Sequence, residues 1–202
     1  MPQDAQSTDA ARPAGSPESV DPSGLHLRFF PDTILRTKAR PVGTVTENVR
    51  EVAERMLRIM SEEEGIGLAA PQVGLPWRMF VCVVPADPSE GAVGGEFALD
   101  TGGRPLVCID PVLRPGGALA SVEEGCLSLP DIRGQVNRPE AVEMEATGLD
   151  GERFVVRAAG LLARCIQHET DHLDGVLIID KFGQIDRLRT RSAVRRLERQ
   201  AR

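Results

Sequence analysis

Long hydrophobic runs are missing from this 202-residue chain: none approaches the ~20 apolar residues that a bilayer-spanning helix needs, so no membrane partner is expected. The first residues carry acids (Asp4, Asp9, Glu18, Asp21) and no apolar stretch, which excludes the pattern of a secretory or transit peptide. Cysteine is sparse, and Cys82, Cys108, Cys126 and Cys165 form no Cys-x-x-Cys pair. The apolar neighbours of Cys82, Cys108 and Cys165 fit buried thiols in a reducing cytoplasm better than a secreted disulfide frame. Histidine is scarcer still, with three in the whole chain. No internal repeat is visible.

What is present is the composition of a single globular domain, 41% hydrophobic and 27% charged, large enough to bury a core without staples. Its charge is uneven. The net value is −6, yet residues 181–202 hold eight Lys and Arg against two acids. A basic end on an acidic body fits contact with a polyanion; a solvated Arg-rich helix fits the same charges equally well.

Residues 1–24 read as a flexible tail, being rich in Pro, Ser, Asp and Ala with almost nothing apolar beyond Val20. The chain from 25 to 42 should enter the domain in extended pieces broken by Pro31 and Pro41. A helix follows, capped within Thr44-Val45-Thr46-Glu47 and carrying Val49, Val52, Ala53, Met56, Leu57 and Met60 at helical spacing, with Gly65 as its stop. Gly65 to Gly74 reads as a tight loop, 78–84 as a buried strand and 85–105 as an irregular surface loop. Further strands are expected at 106–109, 118–122 and 141–149, the last turning at Asp150-Gly151 into 153–156. A long helix should run over 158–174 with Gly175 past its end, then a strand at 176–179 and a weakly amphipathic helix over 185–202. Strands in runs with a few well-placed helices argue for an α+β fold, mixed or antiparallel sheets packed around the 158–174 helix.

That helix contains His168-Glu169-Thr170-Asp171-His172. Imidazoles four residues apart share one helix face and can reach one metal ion, with the carboxylate of Glu169 close enough to handle a proton of water there. A bare HExxH arises by chance, and paired helical histidines are often satisfied polar groups. Two features favour metal. Two of only three histidines fall in this register, and the stripes Leu161, Cys165, His168, His172 and Leu162, Ile166, Glu169, Leu173 are mostly apolar, so buried charge there needs a partner. A third ligand is available in Glu123-Glu124-Gly125-Cys126-Leu127-Ser128-Leu129-Pro130, where Cys126 sits in a setting unlike that of a small buried hydrophobe. One thiolate and two imidazoles leave a position open for water, and by ligand type alone would hold Zn²⁺, Fe²⁺ or another late first-row ion. The weaker alternative is a zincin-like peptidase with Asp180 or Asp186 as third ligand.

Gly65-x-Gly67-x-x-Ala70 superficially resembles a dinucleotide fingerprint, but here a helix precedes and a strand follows, and no Gly-Lys-Ser/Thr is present. Phosphate binding is rejected. The useful group in this segment is Gln72, whose amide can donate to a developing oxyanion.

Three segments in order, Gly65 to Gly74 (GIGLAAPQVG), Glu124 to Ser128 (EGCLS) and Gln167 to Gly175 (QHETDHLDG), resemble the peptide deformylase family, as does the run Phe30-Pro31-Asp32 with Leu35-Arg36, Ala39 and Pro41-Val42. The resemblance covers roughly 25–183, which would be the catalytic domain between the tail at 1–24 and a basic C-terminal helix at 184–202. It implies a cytoplasmic hydrolase of protein biosynthesis that removes the formyl group from the N-terminal formyl-methionine of nascent chains and releases formate. It further implies Cys126, His168 and His172 as metal ligands, Glu169 as general base then acid, and Gln72 with the backbone N–H of Leu127 as oxyanion donors. Similar enzymes work best with Fe²⁺ and accept Zn²⁺, Ni²⁺ or Co²⁺. Substrate would be bound by Gly67 through its backbone and by a methionine pocket flanked by Ile66, Val122, Leu161 and Cys165. Arg164 stands where related enzymes often carry an aliphatic residue. Glu124 and Arg133 match recurring family positions and would support the ligands. Apart from the resemblance, Arg187, Arg189, Arg191, Arg195, Arg196, Arg199 and Arg202 of the last helix suggest docking near ribosomal RNA.

Overall fold

The computed structural model describes residues 20–85, 97–98 and 100–200; most of the expected tail and of the 85–105 loop lies outside them. Residues 20–24, assigned to the tail from sequence, form a capped turn instead. Asp21 accepts from the Ser23 N–H, and Asn48 donates to the Val20 carbonyl.

Helix α1 (Glu47–Glu62) starts where the Thr46 hydroxyl accepts from the Val49 N–H, and it buries Val49, Val52, Ala53, Met56, Ile59 and Met60 along one stripe. Five strands then form one antiparallel sheet in chain order: β1 (Gly67–Ala69), β2 (Met79–Cys82), β3 (Leu106–Gly125), β4 (Arg133–Thr147) and β5 (Arg153–Ala159). β2 is apolar throughout because both its faces are covered. Met79 and Val81 belong to the core shared with α1, whereas Phe80 and Cys82 belong to a second core with Leu162, Ile166 and Leu173 of helix α2 (Gly160–Leu173). α2 therefore lies against the sheet on the side opposite α1. It follows β5 with no loop, the switch falling on Gly160 at φ +58°, a conformation glycine adopts without Cβ strain. Short helix α3 (Ile178–Lys181) and helix α4 (Gln184–Gln200) close the chain, and Leu197, Phe182 and Ile178 join Leu129, Ile132 and Val136 in a third cluster.

Several expected elements change. The segment 65–74 is not all loop: it contains β1, an edge strand paired to β2, and a 3-10 turn over Ala70–Val73 that ends at left-handed Gly74. The strands expected at 106–109 and 118–122 are one, with register shifts between Ile109/Val112 and Gly116/Leu119 that absorb Pro111 and Gly117. β4 begins at Arg133 rather than at 141, because an inward-facing arginine hides the alternation that otherwise buries Gly134, Val136 and Arg138. The apolar run 176–179 is not a strand. Asp180 accepts from the Leu177 N–H at 2.8 Å and closes a helical turn, and a short apolar run carries no period that separates the two outcomes. Among the described residues no helix is long and apolar enough to cross a membrane.

Candidate metal centre

Cys126 follows β3 directly, in the turn that leads to β4, and His168 and His172 lie one turn apart on α2. The fold brings one ligand atom from each within 4.8 Å of the others. Cys126 Sγ is 3.3 Å from His172 Nε2, and the two rings stand edge to face with centroids 4.9 Å apart. Metal–sulfur and metal–nitrogen bonds of about 2.0–2.3 Å fit a cluster of this size. Neither Asp180, which caps α3, nor Asp186, which accepts from the Gln135 N–H, belongs to it.

Behind His168 stands Glu124, buried near the end of β3, with Oε2 3.1 Å from His168 Nδ1. Arg138 grips the same carboxylate twice, Nε to Oε1 at 2.7 Å and Nη2 to Oε2 at 2.9 Å, and reaches Asp171 on α2 at 2.7 Å. Arg164 adds a bond to Glu124 Oε1 at 2.6 Å, and Lys181 holds the other Asp171 oxygen at 2.9 Å. Burial by itself would raise the Glu124 pKa, but the bonds from His168 and Arg138 hold it well below the usual carboxylate range. The same opposition acts on His168: burial disfavours its charge, yet the Cys126 and Glu124 contacts push it up to about 10. Burial, with the charges of His168 and Arg138, lowers His172 well below an ordinary histidine. An imidazole drawn to a thiol and a carboxylate is a position where a cation can replace the proton.

Of the four buried side-chain polar atoms without a hydrogen-bond partner among the described residues, two lie here, Glu169 Oε2 and His172 Nδ1. Burial raises Glu169 to about 7. Orphaned polar atoms beside converging ligands are what a site built around a missing charged group presents, so the residues fit a metal ion. Gln72 is buried and fixed. Its Oε1 accepts from the Ala69 N–H at 2.8 Å, which turns its NH₂ toward Ser128 Oγ at 3.2 Å and Cys126 Sγ at 3.7 Å.

A cleft of about 590 Å³ opens onto this cluster. Ile66, Gly67, Val122, Leu161 and Cys165 line it, as do Gln72, Leu127, His168 and Glu169; His172 lies behind. At Gly67 a Cβ would collide with Glu169 Oε1 and lie 2.9 Å from Cys165 Sγ, so only glycine lets β1 pass so close. Arg133 is placed differently from expectation. It is exposed on the cleft wall beside Gly125, and the guanidinium groups on Glu124 are those of Arg138 and Arg164. Sequence reading missed Arg138 and Asp171. The available signal was the alternation Gly134, Val136, Arg138, which puts the arginine on the buried face of a strand.

An α+β fold that gathers a thiol, two imidazoles and an unpaired carboxylate at the end of one cleft defines a metal-dependent hydrolase. The sequence matches the polypeptide deformylase family over residues 25–188. The peptide deformylase of Rhizobium meliloti is 41% identical over 162 residues, 80% of this chain and 86% of that protein, and peptide deformylase 2 of Gloeobacter violaceus is 44% identical over 158 residues, 78% of each. The crystal structure of peptide deformylase from Ehrlichia chaffeensis superposes with a TM-score of 0.78 at 28% identity, covering 88% of this chain and 96% of that one. That of a Synechococcus elongatus peptide deformylase in complex with actinonin gives 0.72 at 38% identity, covering 85% and 86%. This chain belongs to the polypeptide deformylase family. It is a metal-dependent enzyme that removes the N-terminal formyl group of newly made polypeptides.

Proposed function

We propose that Cys126, His168 and His172 hold one divalent cation and that Glu169 carries the proton of the deformylation. The observation behind this reading is the convergence of three ligand atoms within 4.8 Å, from segments more than forty residues apart, beside a buried carboxylate oxygen with no partner. The mixed thiolate and imidazole set suits a late first-row ion, Fe²⁺ in the working enzyme with Zn²⁺, Ni²⁺ or Co²⁺ as substitutes. When bound, the ion would supply Lewis acidity to the formyl carbonyl and acidify the attacking water.

The rest falls to the chain. Glu169 Oε2 takes the proton from the attacking water and returns it to the departing methionine amine. The NH₂ of Gln72, locked by Ala69, and the Leu127 N–H meet the negative charge that develops on the formyl oxygen. Gly67 gives the substrate backbone room beside Glu169, and the methionine side chain enters between Ile66, Val122, Leu161 and Cys165. Glu124 fixes His168 from behind. The catalytic unit is 25–183, and the site of action is the cytoplasm, where formylated nascent chains arise. α4 (within 184–202) adds exposed Arg187, Arg191, Arg195 and Arg199 that suit ribosomal RNA; Arg202 lies outside the described residues.

Two variants test the ligand and proton roles together. Cys126→Ala, purified anaerobically, should retain well under half the metal of the wild type. Glu169→Gln should keep its metal and lose about 10²–10⁴-fold in turnover of a formyl-Met tripeptide. Full metal content in the first, or undiminished turnover in the second, removes that residue from the role given to it.

A further inference from the structure

Glu124 is gripped by more than pairing requires. Arg138 already meets both of its oxygens, yet Arg164 approaches Oε1 as well, with its side chain only 11% exposed. A buried guanidinium is costly unless its donors are engaged, so a second one needs its own account. Arg164 spends its donors on the strands: Nη1 bonds the Val136 carbonyl of β4 and Nη2 the Ala120 carbonyl of β3, both at 3.0 Å. These two strands flank the turn that carries Cys126. Arg164 itself sits on α2 one turn ahead of His168, while Asp171, three residues beyond His168, is tied to β4 through Arg138. The histidine is thus bracketed along its helix by two guanidinium ties to the same pair of strands. Arg164 also balances charge, since the one other guanidinium on Glu124, that of Arg138, is shared with Asp171.

We infer that Arg164 is a positioning residue for the metal centre. Its fork fixes the height of α2 over β3 and β4, and so the distance between the imidazoles and the Cys126 sulfur. Arg164 also lines the cleft, where it would act merely as wall. The two roles separate by what they change: a wall alters substrate KM, whereas a positioning tie alters metal affinity with no substrate present. The inference rests on Cys126, His168 and His172 being the ligands.

The test is titration of metal-free protein with Co²⁺, followed by visible absorption, for wild type, Arg164→Leu, Arg164→Lys and Cys126→Ala. Arg164→Leu should weaken Co²⁺ binding about 10–100-fold, the range that loss of a ligand's supporting partner produces. Arg164→Lys should recover part of it, since an ammonium can reach Glu124 but cannot span two carbonyls in one plane. Combined with Glu124→Gln, Arg164→Leu should weaken binding by less than the product of the single effects. Folded Arg164→Leu with wild-type Co²⁺ affinity and only a raised KM for formyl-Met peptide would make the residue a wall and overturn the inference. If the leucine variant does not fold, Arg164→Lys and Arg164→Gln carry the comparison, and wild-type affinity in both overturns it. Wild-type Co²⁺ binding by Cys126→Ala would instead sink the ligand assignment, a distinct failure.

Discussion

Helices α2 and α4 lie close together in the chain and treat charge in opposite ways. Behind α2, on the side of His168 away from the cleft, the charged side chains are matched across elements: Glu124 by Arg138 and Arg164, Asp171 by Arg138 and Lys181. On α4 the arginines are exposed, and the ion pairs they make leave the guanidinium in solvent: Arg189 with Glu123 at 3.8 Å and with Asp186 of its own helix at 2.9 Å, Arg196 with Asp131 at 3.6 Å. One residue type is thus a buried fastener in the first setting and a solvated charge in the second. The difference is burial, because the dielectric around a pair decides whether losing one partner strands the other.

If that contrast is right, the largest stability loss should come from Arg138→Met. It leaves buried Glu124 and half-buried Asp171 with one cation fewer, and urea denaturation should show a loss of about 3–5 kcal/mol. A loss below 1 kcal/mol would mean that water reaches the cluster and that the two helices do not differ. Gly67→Ala comes next. Its new Cβ pushes on Glu169 and Cys165, and overpacking of this kind costs about 1–3 kcal/mol. Because the strain falls on Glu169, turnover of a formyl-Met peptide should fall by more than the thermal midpoint suggests. The smallest effect belongs to α4. Changing Arg187, Arg191, Arg195 and Arg199 together to Gln should shift stability by no more than about 0.5 kcal/mol per site and leave short-peptide turnover intact. The same variant should lose ribosome co-sedimentation at physiological salt, and retention of full co-sedimentation would leave α4 a merely solvated helix. Charge neutralisation is a cleaner probe than truncation, since Leu197 of α4 belongs to the third core and Asp186 accepts from the Gln135 N–H of β4.

Helix α1, the centre of α2 and its glycine stop were legible because their periods are long and their caps are local: Thr46 accepts from Val49, and Gly175 adopts φ +73°. β1, the full length of β3 and the start of β4 were not. β1 has three residues and exists only because β2 lies beside it, and β3 runs through Pro111 and Gly117, which local reading takes as breaks but register shifts accommodate. The cluster Cys126, His168 and His172 was legible from residue types at helical spacing plus one distinctive cysteine context, and Gln72 from the loop it occupies. Arg138 and Asp171 were hidden because nothing local marks a strand arginine as the partner of a glutamate across the sheet.

The order of residues alone determined which chemistry is available here: a sulfur, two ring nitrogens and one carboxylate in segments whose helical or turn geometry is set by near neighbours. Tertiary structure alone decided which arginines hold that chemistry in place and which face solvent. Strand pairing and helix docking join residues far apart in sequence, and the energy of a charge follows the water it has lost, a quantity that exists only after the chain has folded.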